Sequence, residues 1–453
     1  MNDTIAAIST AFGEGAIAIV RLSGPRAVAM ADAVFVGKTA PSQAQARVQQ
    51  FGSLSDQGRK LDDVLLSVHH APHSYTGDDV VEINCHGGIL ISRSILELFV
   101  RAGARVAQPG EFTQRAYLAG KMDLTQAEAV MDLISAQTEL SLRAATEQLE
   151  GRLGARVRTL RDGLIEVLAH VEAYIDFPEE DIDPQTGQAL LSKLVTVEAA
   201  AQALLATAGQ GRILREGVRT VIYGAPNVGK SSLLNLLLGC ERAIVSARPG
   251  TTRDVIEEVI NLRGIALRLV DTAGIRESDD EIEREGMERT QVQVLRADLV
   301  LHLVDASAPM PADFENLTHT ARGPGGSGAS VLLLLNKADL GEHPTWNAIE
   351  GNRISCLKGA GIEPLETAIF SRITDGQAAQ RDWSVAINAR HKGCLERTLQ
   401  FTEAARGAMS RGLSPEFVAE DLRSALQGVG EMIGGVDVED ILGKIFSTFC
   451  IGK

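Results

Sequence analysis

A glycine-rich loop in the middle of the sequence has a composition that suits the binding of nucleotide phosphates. An apolar segment, residues 220–223, leads into residues 224–231, which read Gly-Ala-Pro-Asn-Val-Gly-Lys-Ser and match the pattern G-x-x-x-x-G-K-[ST]. Glycines let successive backbone N–H groups face a phosphate, and the N-terminus of a following helix adds positive potential. We expect Lys230 to reach the outer phosphates and the Ser231 hydroxyl to bind Mg²⁺. An ordinary glycine turn before a helix is the alternative interpretation.

Three further motifs accompany this loop in the order that guanine-nucleotide binding requires. A predicted strand at 266–270 ends in an Asp-Thr-Ala-Gly motif at 271–274, where the aspartate can hold the Mg²⁺ shell and the glycine N–H can sense a γ-phosphate. A Gly-Thr-Thr-Arg-Asp motif at 250–254 supplies Thr252, which could close onto Mg²⁺. Asp339 ends an Asn-Lys-Ala-Asp motif and offers two acceptors to the two N–H groups of guanine, a donor pair that adenine lacks. Together the four motifs predict a GTPase.

The group that positions the attacking water is not set by these motifs. Ile275 occupies the place where Ras-like proteins carry a glutamine, and an apolar side chain cannot orient water. Hydrolysis is therefore slow, or another group does this work. The carboxylate-rich run at 277–288 is one source, with a solvated helix face as its alternative. An arginine finger from Arg253 or Arg276 is another, and the spacing does not choose among them.

The elements that must position these motifs indicate several domains. Residues 16–22 and 80–84 are typical of short strands, and residues 89–101 are typical of a helix. Helical patterns also run over residues 125–173 and again near 190–206, and the chain is helical once more from about position 388. The strand–helix alternation between these helical stretches predicts an α/β domain with a mostly parallel sheet, inserted into a helical domain.

We therefore predict an α+β multidomain fold. An N-terminal α/β domain occupies residues 1–118, and a discontinuous α-helical domain occupies residues 119–212 and 379–453. A Ras-like P-loop α/β G domain is inserted at residues 213–378.

Composition limits the classes of protein that this chain can represent. Its 453 residues are 45% hydrophobic and 23% charged, which is ordinary for a soluble globular protein. The formal net charge is −15, so any RNA contact must use a local basic patch. Five scattered cysteines without a C-x-x-C pair argue against a disulfide framework or a zinc site. The N-terminus lacks the pattern of a signal peptide, and no apolar run approaches the ~20 residues of a membrane span, so we expect a cytoplasmic protein.

The motifs resemble those of the MnmE (TrmE) family of tRNA-modification GTPases over essentially the whole chain. The segments that carry the resemblance are SYTGDDVVEINCHGG (74–88), PGEFTQRAYLAGKMDLTQAEA (109–129), EAYIDFPEEDI (172–182), GAPNVGKSS (224–232), PGTTRD (249–254), DTAGIRESDDEIEREG (271–286) and the terminal FCIGK (449–453). The resemblance implies an N-terminal folate-binding and dimerising domain, a discontinuous helical domain and an inserted G domain. It also implies a homodimer.

For hydrolysis, the resemblance implies dependence on K⁺ and on dimerisation of the G domains. Glu283 would orient the catalytic water, and Ser231 and Thr252 would bind Mg²⁺. The implied K⁺ ligands are Asn227, Ser246, Arg248 and Thr251. The GTP-binding residues predicted by the motifs and the resemblance are Asn227, Val228, Gly229, Lys230, Ser231, Ser232, Ser246, Ala247, Arg248, Pro249, Gly250, Thr251, Thr252, Asp271, Thr272, Ala273, Gly274, Asn336, Lys337, Asp339, Ser355 and Cys356.

Two segments depart from the family pattern. Arg248 and Pro249 lie in the loop whose backbone should contribute carbonyls to K⁺, and proline stiffens that loop. The segment Ser355-Cys356-Leu357 stands where many GTPases have Ser-Ala-Lys against the base, which predicts a weaker guanine contact.

A folate site is implied by the resemblance alone. The family pattern falls on Arg21, Glu82, Lys121 and Lys453, with 5-formyl- or methylene-tetrahydrofolate as the ligand. A basic residue suits the glutamate tail of folate, and a carboxylate suits the N–H edge of the pterin. The sequence does not assign these two roles to particular residues. Without the family, Arg21 would be a surface arginine at a strand end, Glu82 an exposed strand residue and Lys121 a solvated turn lysine.

Other candidates for chemistry have simpler interpretations. A nucleophilic Cys450 would need a base adjacent in sequence, which it lacks, so we expect a small buried side chain near the chain end. His69, His70, His73 and His86 could suggest a metal, but His86-Gly87-Gly88 is typical of a turn and the family pattern places no metal there.

The resemblance also implies partners. The chain would act with the FAD-dependent protein MnmG (GidA), as a heterotetramer, in 5-carboxymethylaminomethyl modification of the wobble uridine of certain tRNAs. A folate one-carbon unit would supply the methylene. A ribosome-assembly GTPase is the first alternative, but it predicts a basic RNA-binding appendage that the near-neutral terminal segments lack. A regulatory GTPase acting through protein partners is the second, and it leaves Asn227, the folate positions and the terminal motif unexplained.

Overall fold

The computed structural model describes residues 3–177, 184–240, 258–270, 293–312, 314, 329–374, 385–435 and 439–452. The chain divides into two compact units. The first consists of Met1–Met131, Leu149–Ala201 and Cys394–Lys453, and the second consists of Asp132–Gln148 and Gln202–Gly393. Each unit combines helices with one sheet, which confirms the predicted α+β architecture.

The first unit contains a seven-stranded sheet in the order β3-β4-β5-β6-β2-β1-β7. Its strands are β1 (Ile5–Ile8), β2 (Ile17–Ser23), β3 (Phe35–Gly37), β4 (Gln50–Asp56), β5 (Arg59–His69), β6 (Val80–His86) and β7 (Arg105–Val106). All neighbouring strands are antiparallel except β1 and β7. Alternate apolar residues such as Val20, Leu22 and Ile83 form a buried face that packs against the helices Ala27–Asp32 and Ile89–Arg101. The residues between them in the strands point to the other face of the sheet, which carries polar side chains.

The second unit contains a six-stranded sheet in the order β13-β12-β11-β8-β10-β9. Its strands are β8 (Val218–Tyr223), β9 (Glu258–Leu262), β10 (Ile265–Leu269), β11 (Leu299–Asp305), β12 (Ser330–Asn336) and β13 (Asn352–Arg353). Only the β9–β10 pair is antiparallel, which confirms the predicted mostly parallel sheet. The nearly uninterrupted apolar sequence of β11 follows from its central place, where both faces are buried.

The helical prediction over residues 125–173 is resolved into three helices. The break before Arg152 occurs at Gly151, whose φ of 87° lies in the left-handed region. The break before Glu139 is marked by Thr138, whose backbone N–H donates to the Ser141 hydroxyl. The helices of the described residues are Ala27–Asp32, Ile89–Arg101, Glu111–Leu118, Leu124–Ser135, Glu139–Leu149, Arg152–Asp176, Pro184–Leu205, Ala208–Glu216, Lys230–Cys240, Ile362–Ile373, Ala389–Ser410, Pro415–Ile433 and Glu439–Ser447.

The C-terminal segment returns to the N-terminal strands within the first unit. The N–H of Gly110 donates to the carbonyl of Cys450 over 3.4 Å, and the Ser9 hydroxyl donates to the carbonyl of Gly452 over 3.2 Å. Gly452 has a φ of 98°, and a Cβ there would lie 2.5 Å from the carbonyl oxygen of Ile8. The side chain of Cys450 is exposed rather than buried as expected, because the docking uses the backbone of this segment.

One helical run of the described residues, Gly187–Glu216, is long and apolar enough to pass a length-and-composition test for a membrane span. The sequence predicts no such helix when only uninterrupted apolar residues are considered, whereas this helical run has a high mean hydropathy owing to its alanines and leucines. One helix that meets this test is weak evidence that the chain spans a membrane. Glu198 lies within it, is buried, and pairs with Arg406 over 2.7 Å.

Candidate functional site

The phosphate loop lies where the sequence predicts it, between the end of β8 and the helix Lys230–Cys240. Its first glycine is required by space, since a Cβ at Gly224 would overlap the carbonyl of Leu303 on β11. Asn227 adopts a left-handed conformation with a φ of 61°. The ammonium group of Lys230 donates to the carbonyls of Gly224 and Ala225 over 3.0 and 2.9 Å, so this cation lies over the loop.

Asn336 joins the phosphate loop to a distant segment of the second unit. Its Nδ2 donates to the carbonyl of Val228 over 2.8 Å, and its Oδ1 accepts from the backbone N–H of Cys356 over 3.0 Å. The side chain lies at the end of β12 and is only 3% exposed. A Cβ at Gly229 would overlap Nδ2 of Asn336, which explains the second glycine of the loop. The sequence motif predicted the asparagine but not this contact.

Asp339 is oriented by a neighbouring hydroxyl. Ser355 donates through Oγ to Oδ1 of Asp339 over 2.6 Å, and Oγ in turn accepts from the N–H of Lys358 over 3.2 Å. The hydrogen bond from Ser355 is the main cause of the lowered pKa of Asp339, so this carboxylate is an ionised acceptor near neutral pH. Lys337 is turned away from it, with Nζ 2.6 Å from Oδ2 of Asp305.

Cys356 contributes its backbone rather than its thiol to this arrangement. Burial raises the pKa of its thiol to about 11, so the side chain stays neutral. Because Asn336 accepts from the backbone N–H, the contact does not depend on which side chain stands at position 356.

Many of the predicted nucleotide residues lie outside the described part of the chain. These are Ser246, Ala247, Arg248, Pro249, Gly250, Thr251, Thr252, Asp271, Thr272, Ala273, Gly274 and Glu283, together with Lys453 of the predicted folate set. Ile275, Arg253, Arg276 and the carboxylate run 277–288 also lie outside it.

Polar side chains form a row across the open face of the N-terminal sheet. Arg21 on β2 lies opposite Glu82 on β6, which lies opposite Ser67 on β5. Nε of Arg21 donates to Oε1 of Glu82 over 2.8 Å, and Nη2 lies 2.7 Å from the same oxygen. At the end of β5, Nε2 of His69 is 3.9 Å from the other oxygen, Oε2. Two of the predicted folate residues are thus in direct contact.

Two aromatic rings flank the guanidinium of Arg21. Its central carbon lies 5.9 Å from the centre of the Tyr75 ring and 5.6 Å from that of Phe112, within the range of a cation–π contact. The Tyr75 hydroxyl lies 3.0 Å from Oγ1 of Thr113. Burial raises the pKa of Tyr75, against the opposing effects of Thr113 and Arg21, so the phenol is neutral. Sequence reasoning missed both rings, although both lie in segments that match the family.

Lys121 is held by the loop that carries Tyr75. Its ammonium group donates to the carbonyl of Pro72 in the connection between β5 and β6. Gly77 lets this connection pass close by, because a Cβ there would lie 2.8 Å from Cβ of Ala119. The same connection therefore contacts Lys121 and carries Tyr75, one of the two rings beside Arg21.

A buried ion network fixes the helix Glu111–Leu118, which bears one of the two rings. The side chains of Glu111 and Arg115 are 5% and 3% exposed and lie 3.0 Å apart. Arg105 lies 2.6 Å from Glu111 and 2.7 Å from Asp3. Burial would raise the pKa of Glu111, but its hydrogen bonds, the strongest from Arg105, outweigh burial and lower it. Only a tertiary structure could reveal this network, since Asp3 and Arg105 lie far apart in the sequence.

A largely parallel sheet with a phosphate loop after its central strand, and an Asn-Lys-Ala-Asp motif after the neighbouring parallel strand, defines a P-loop GTPase. Residues 124–450 match the family described as the MnmE helical domain, and residues 4–121 match the GTP-binding protein TrmE N-terminus. The chain therefore belongs to the MnmE family of tRNA modification GTPases, and it is a GTP-hydrolysing enzyme.

Full-length relatives agree with the match to this family. The chain is 50% identical to the tRNA modification GTPase MnmE of Akkermansia muciniphila, over 99% of each chain. It is 45% identical to the protein of the same name from Bacillus velezensis and 44% identical to that from Bacillus subtilis, in both cases over 100% of each chain.

Proposed function

We propose that this chain couples GTP hydrolysis to 5-carboxymethylaminomethyl modification of the wobble uridine in certain tRNAs. It would act in the cytoplasm as a homodimer, in a heterotetramer with the FAD-dependent partner MnmG. The direct reaction of the chain is the attack of water on GTP to give GDP and phosphate. Membership of the MnmE family supports the pathway, and the geometry around Asn336 and Asp339 supports the nucleotide.

The proposed nucleotide contacts follow from the second unit. Asp339 would accept from the N–H groups of guanine, because Ser355 holds one of its oxygens and keeps the carboxylate ionised. Lys230 would release the loop carbonyls of Gly224 and Ala225 and engage the outer phosphates. Ser231 would bind Mg²⁺, together with Thr252. The observation that carries the proposal is the link from the phosphate loop through Asn336 to the segment that orients Asp339.

We also propose that hydrolysis depends on K⁺. Asn227 would bind the cation, and its left-handed backbone places an amide side chain within the phosphate loop. Ser246, Arg248 and Thr251 would complete the site, and Glu283 would orient the attacking water. The test is the rate of GTP hydrolysis in KCl and in NaCl at matched ionic strength and several protein concentrations. Stimulation by K⁺ alone, rising with protein concentration, is expected; equal rates in both salts would overturn the K⁺ site.

The proposed ligand of the first unit is a tetrahydrofolate. The residues fit such a ligand, because Lys121 is a cation for its glutamate tail and the Tyr75 and Phe112 rings beside Arg21 offer aromatic surface. Glu82 uses Oε1 for the arginine, and among the described residues Oε2 accepts no hydrogen bond. When bound, the folate would supply the one-carbon unit. Titration calorimetry with the full-length protein tests this, and no binding of 5-formyltetrahydrofolate at millimolar concentration would refute it.

The homodimer is supported by two exposed apolar side chains that lie opposite each other on the same sheet. Phe51 on β4 lies opposite Leu65 on β5, which lies opposite Asn84 on β6, which lies opposite Ile19 on β2. Phe51 and Leu65 are 68% and 39% exposed, and adjacent exposed apolar side chains are typical of an interaction surface. Phe51→Glu should therefore shift the protein toward the monomer in light scattering, and an unchanged dimer would exclude this face.

The division into residues 1–118, 119–212, 213–378 and 379–453 stays a proposal. Limited proteolysis followed by mass spectrometry would test it, with cleavage expected near positions 212 and 378.

A further inference from the structure

His69 is the one histidine of its segment that faces Glu82. Its Nε2 lies 3.9 Å from Oε2 of Glu82 and 3.5 Å from Oγ of Ser67, and its side chain is 28% exposed. The next residue, His70, is directed to Asp79 instead, with Nδ1 3.5 Å from its carboxylate. The position of His69 at the end of β5 therefore adds a second polar group beside the carboxylate of the predicted folate site.

The spacing of these two atoms leaves a place for a ligand atom. A separation of 3.9 Å is too long for a direct hydrogen bond. It is short enough for one nitrogen or oxygen to lie at about 2.9 Å from both atoms. Glu82 offers an acceptor only, while an imidazole nitrogen can donate or accept. Side by side they suit a ring edge on which N–H donors and acceptors alternate.

We infer that His69 is a specificity-determining residue of this site and reads the edge of a pterin-type ring together with Oε2 of Glu82. The inference rests on the proposed folate function and adds to it which end of the ligand lies at Glu82. With Arg21 held on Oε1, the carboxylate and the imidazole take the ring, and Lys121 is left as the cation for the glutamate tail. The cross-strand register places Arg21 and His69 on opposite sides of β6, so each lies beside a different carboxylate oxygen of Glu82.

A purely structural role for His69 makes different predictions. Val68 and Leu66, its neighbours on β5, are buried in the sheet core, and the open-face side chain of His69 contributes no apolar surface to that core. Removing the imidazole should therefore change ligand binding and leave the melting temperature unchanged.

The test is calorimetric titration of the full-length protein with 5-formyltetrahydrofolate. His69→Ala should weaken binding about tenfold, as expected for the loss of one good hydrogen bond in a desolvated site. His69→Gln should recover part of the affinity, because its amide can also donate or accept. His73→Ala is the matched control, since that side chain is exposed and the contacts of the residue use its backbone, whose carbonyl accepts from Arg47 and whose N–H donates to His70. It should bind as the wild type does.

A second ligand locates the contact on the ring. Extending the folate tail by one glutamate should change the affinity by the same factor in the wild type and in His69→Ala. A changed factor would overturn the assignment of His69 to the ring. Wild-type affinity in His69→Ala would overturn the role of His69 while leaving the folate proposal intact. Absence of folate binding to the wild type would refute the folate proposal and this inference with it.

Discussion

The side-chain amide of Asn336 donates a 2.8 Å hydrogen bond to the backbone carbonyl of Val228, 108 residues earlier in the chain. The same side chain accepts from the N–H of Cys356. One buried amide thus joins the loop that faces the phosphates to the segment whose Ser355 orients Asp339. The two ends of a nucleotide would be contacted by elements that cannot shift independently.

Replacing Asn336 should loosen both ends of the site. Asn336→Ala leaves the carbonyl of Val228 and the N–H of Cys356 without their partner in a buried place, at a cost of about 2 kcal/mol in the free energy of unfolding. GTP affinity should fall about tenfold. Denaturant unfolding and nucleotide titration measure the two effects. Asn347→Ala, at an exposed position, is the control and should change neither. Wild-type affinity in Asn336→Ala would contradict the coupling.

Nucleotide preference should move with the acceptor pair of Asp339. Asp339→Asn turns two acceptors into one acceptor and one donor, so the site should favour xanthosine nucleotides, which carry a carbonyl where guanine carries an amino group. The measurement is the rate of hydrolysis of GTP and XTP by both proteins. Glu350→Gln, at an exposed loop position, should leave both rates unchanged. Retained preference for GTP in Asp339→Asn would move guanine recognition to another residue.

The sequence predicted those parts of the structure that depend on residues close together in the chain. The helix Ile89–Arg101 has the predicted bounds, and β6 extends the predicted 80–84 by two residues, because apolar spacing alone defines such elements. The phosphate loop was predicted from its glycine, lysine and serine motif, together with its flanking strand and helix. Nothing in the local sequence predicts the hydrogen bond of Asn336 to Val228, since that contact depends on the order of the parallel strands. The packing of Tyr75 and Phe112 on Arg21 likewise depends on how a loop and a helix cover the sheet.

The network around Glu111 should make the first unit sensitive to acid. The pKa values of Glu111 and Asp3 are lowered in the folded protein from ordinary values of 4.5 and 3.8. A carboxylate with a lowered folded pKa stabilises the fold above its unfolded pKa, and this contribution is lost as the pH falls through the folded value. The stabilisation should therefore be complete near neutral pH and decline below about pH 4.

Glu111→Gln isolates this contribution. At pH 7 the variant should be less stable by about 2 kcal/mol, because Arg115 and Arg105 each lose a charged partner and Arg115 keeps only Asp3 and Asp78. The difference from the wild type should shrink as the pH falls below 4, since the wild type then loses its own charge. Urea unfolding at pH 7 and pH 3.5 measures this difference. A difference that grows in acid would contradict the sign of the shift.

The docked C-terminal segment leads to the last prediction. Gly452 has a left-handed φ and lies against the carbonyl of Ile8, so Gly452→Ala should release the segment that Ser9 holds. If Lys453 binds folate, affinity should fall by the same factor as in Lys453→Ala, because undocking removes the lysine from the site. Gly443→Ala is the matched control, since a Cβ there meets no atom within 4 Å and alanine favours a helix. Titration with 5-formyltetrahydrofolate compares the three variants. Normal affinity in Gly452→Ala with a loss in Lys453→Ala would show that the lysine reaches the ligand without this docking.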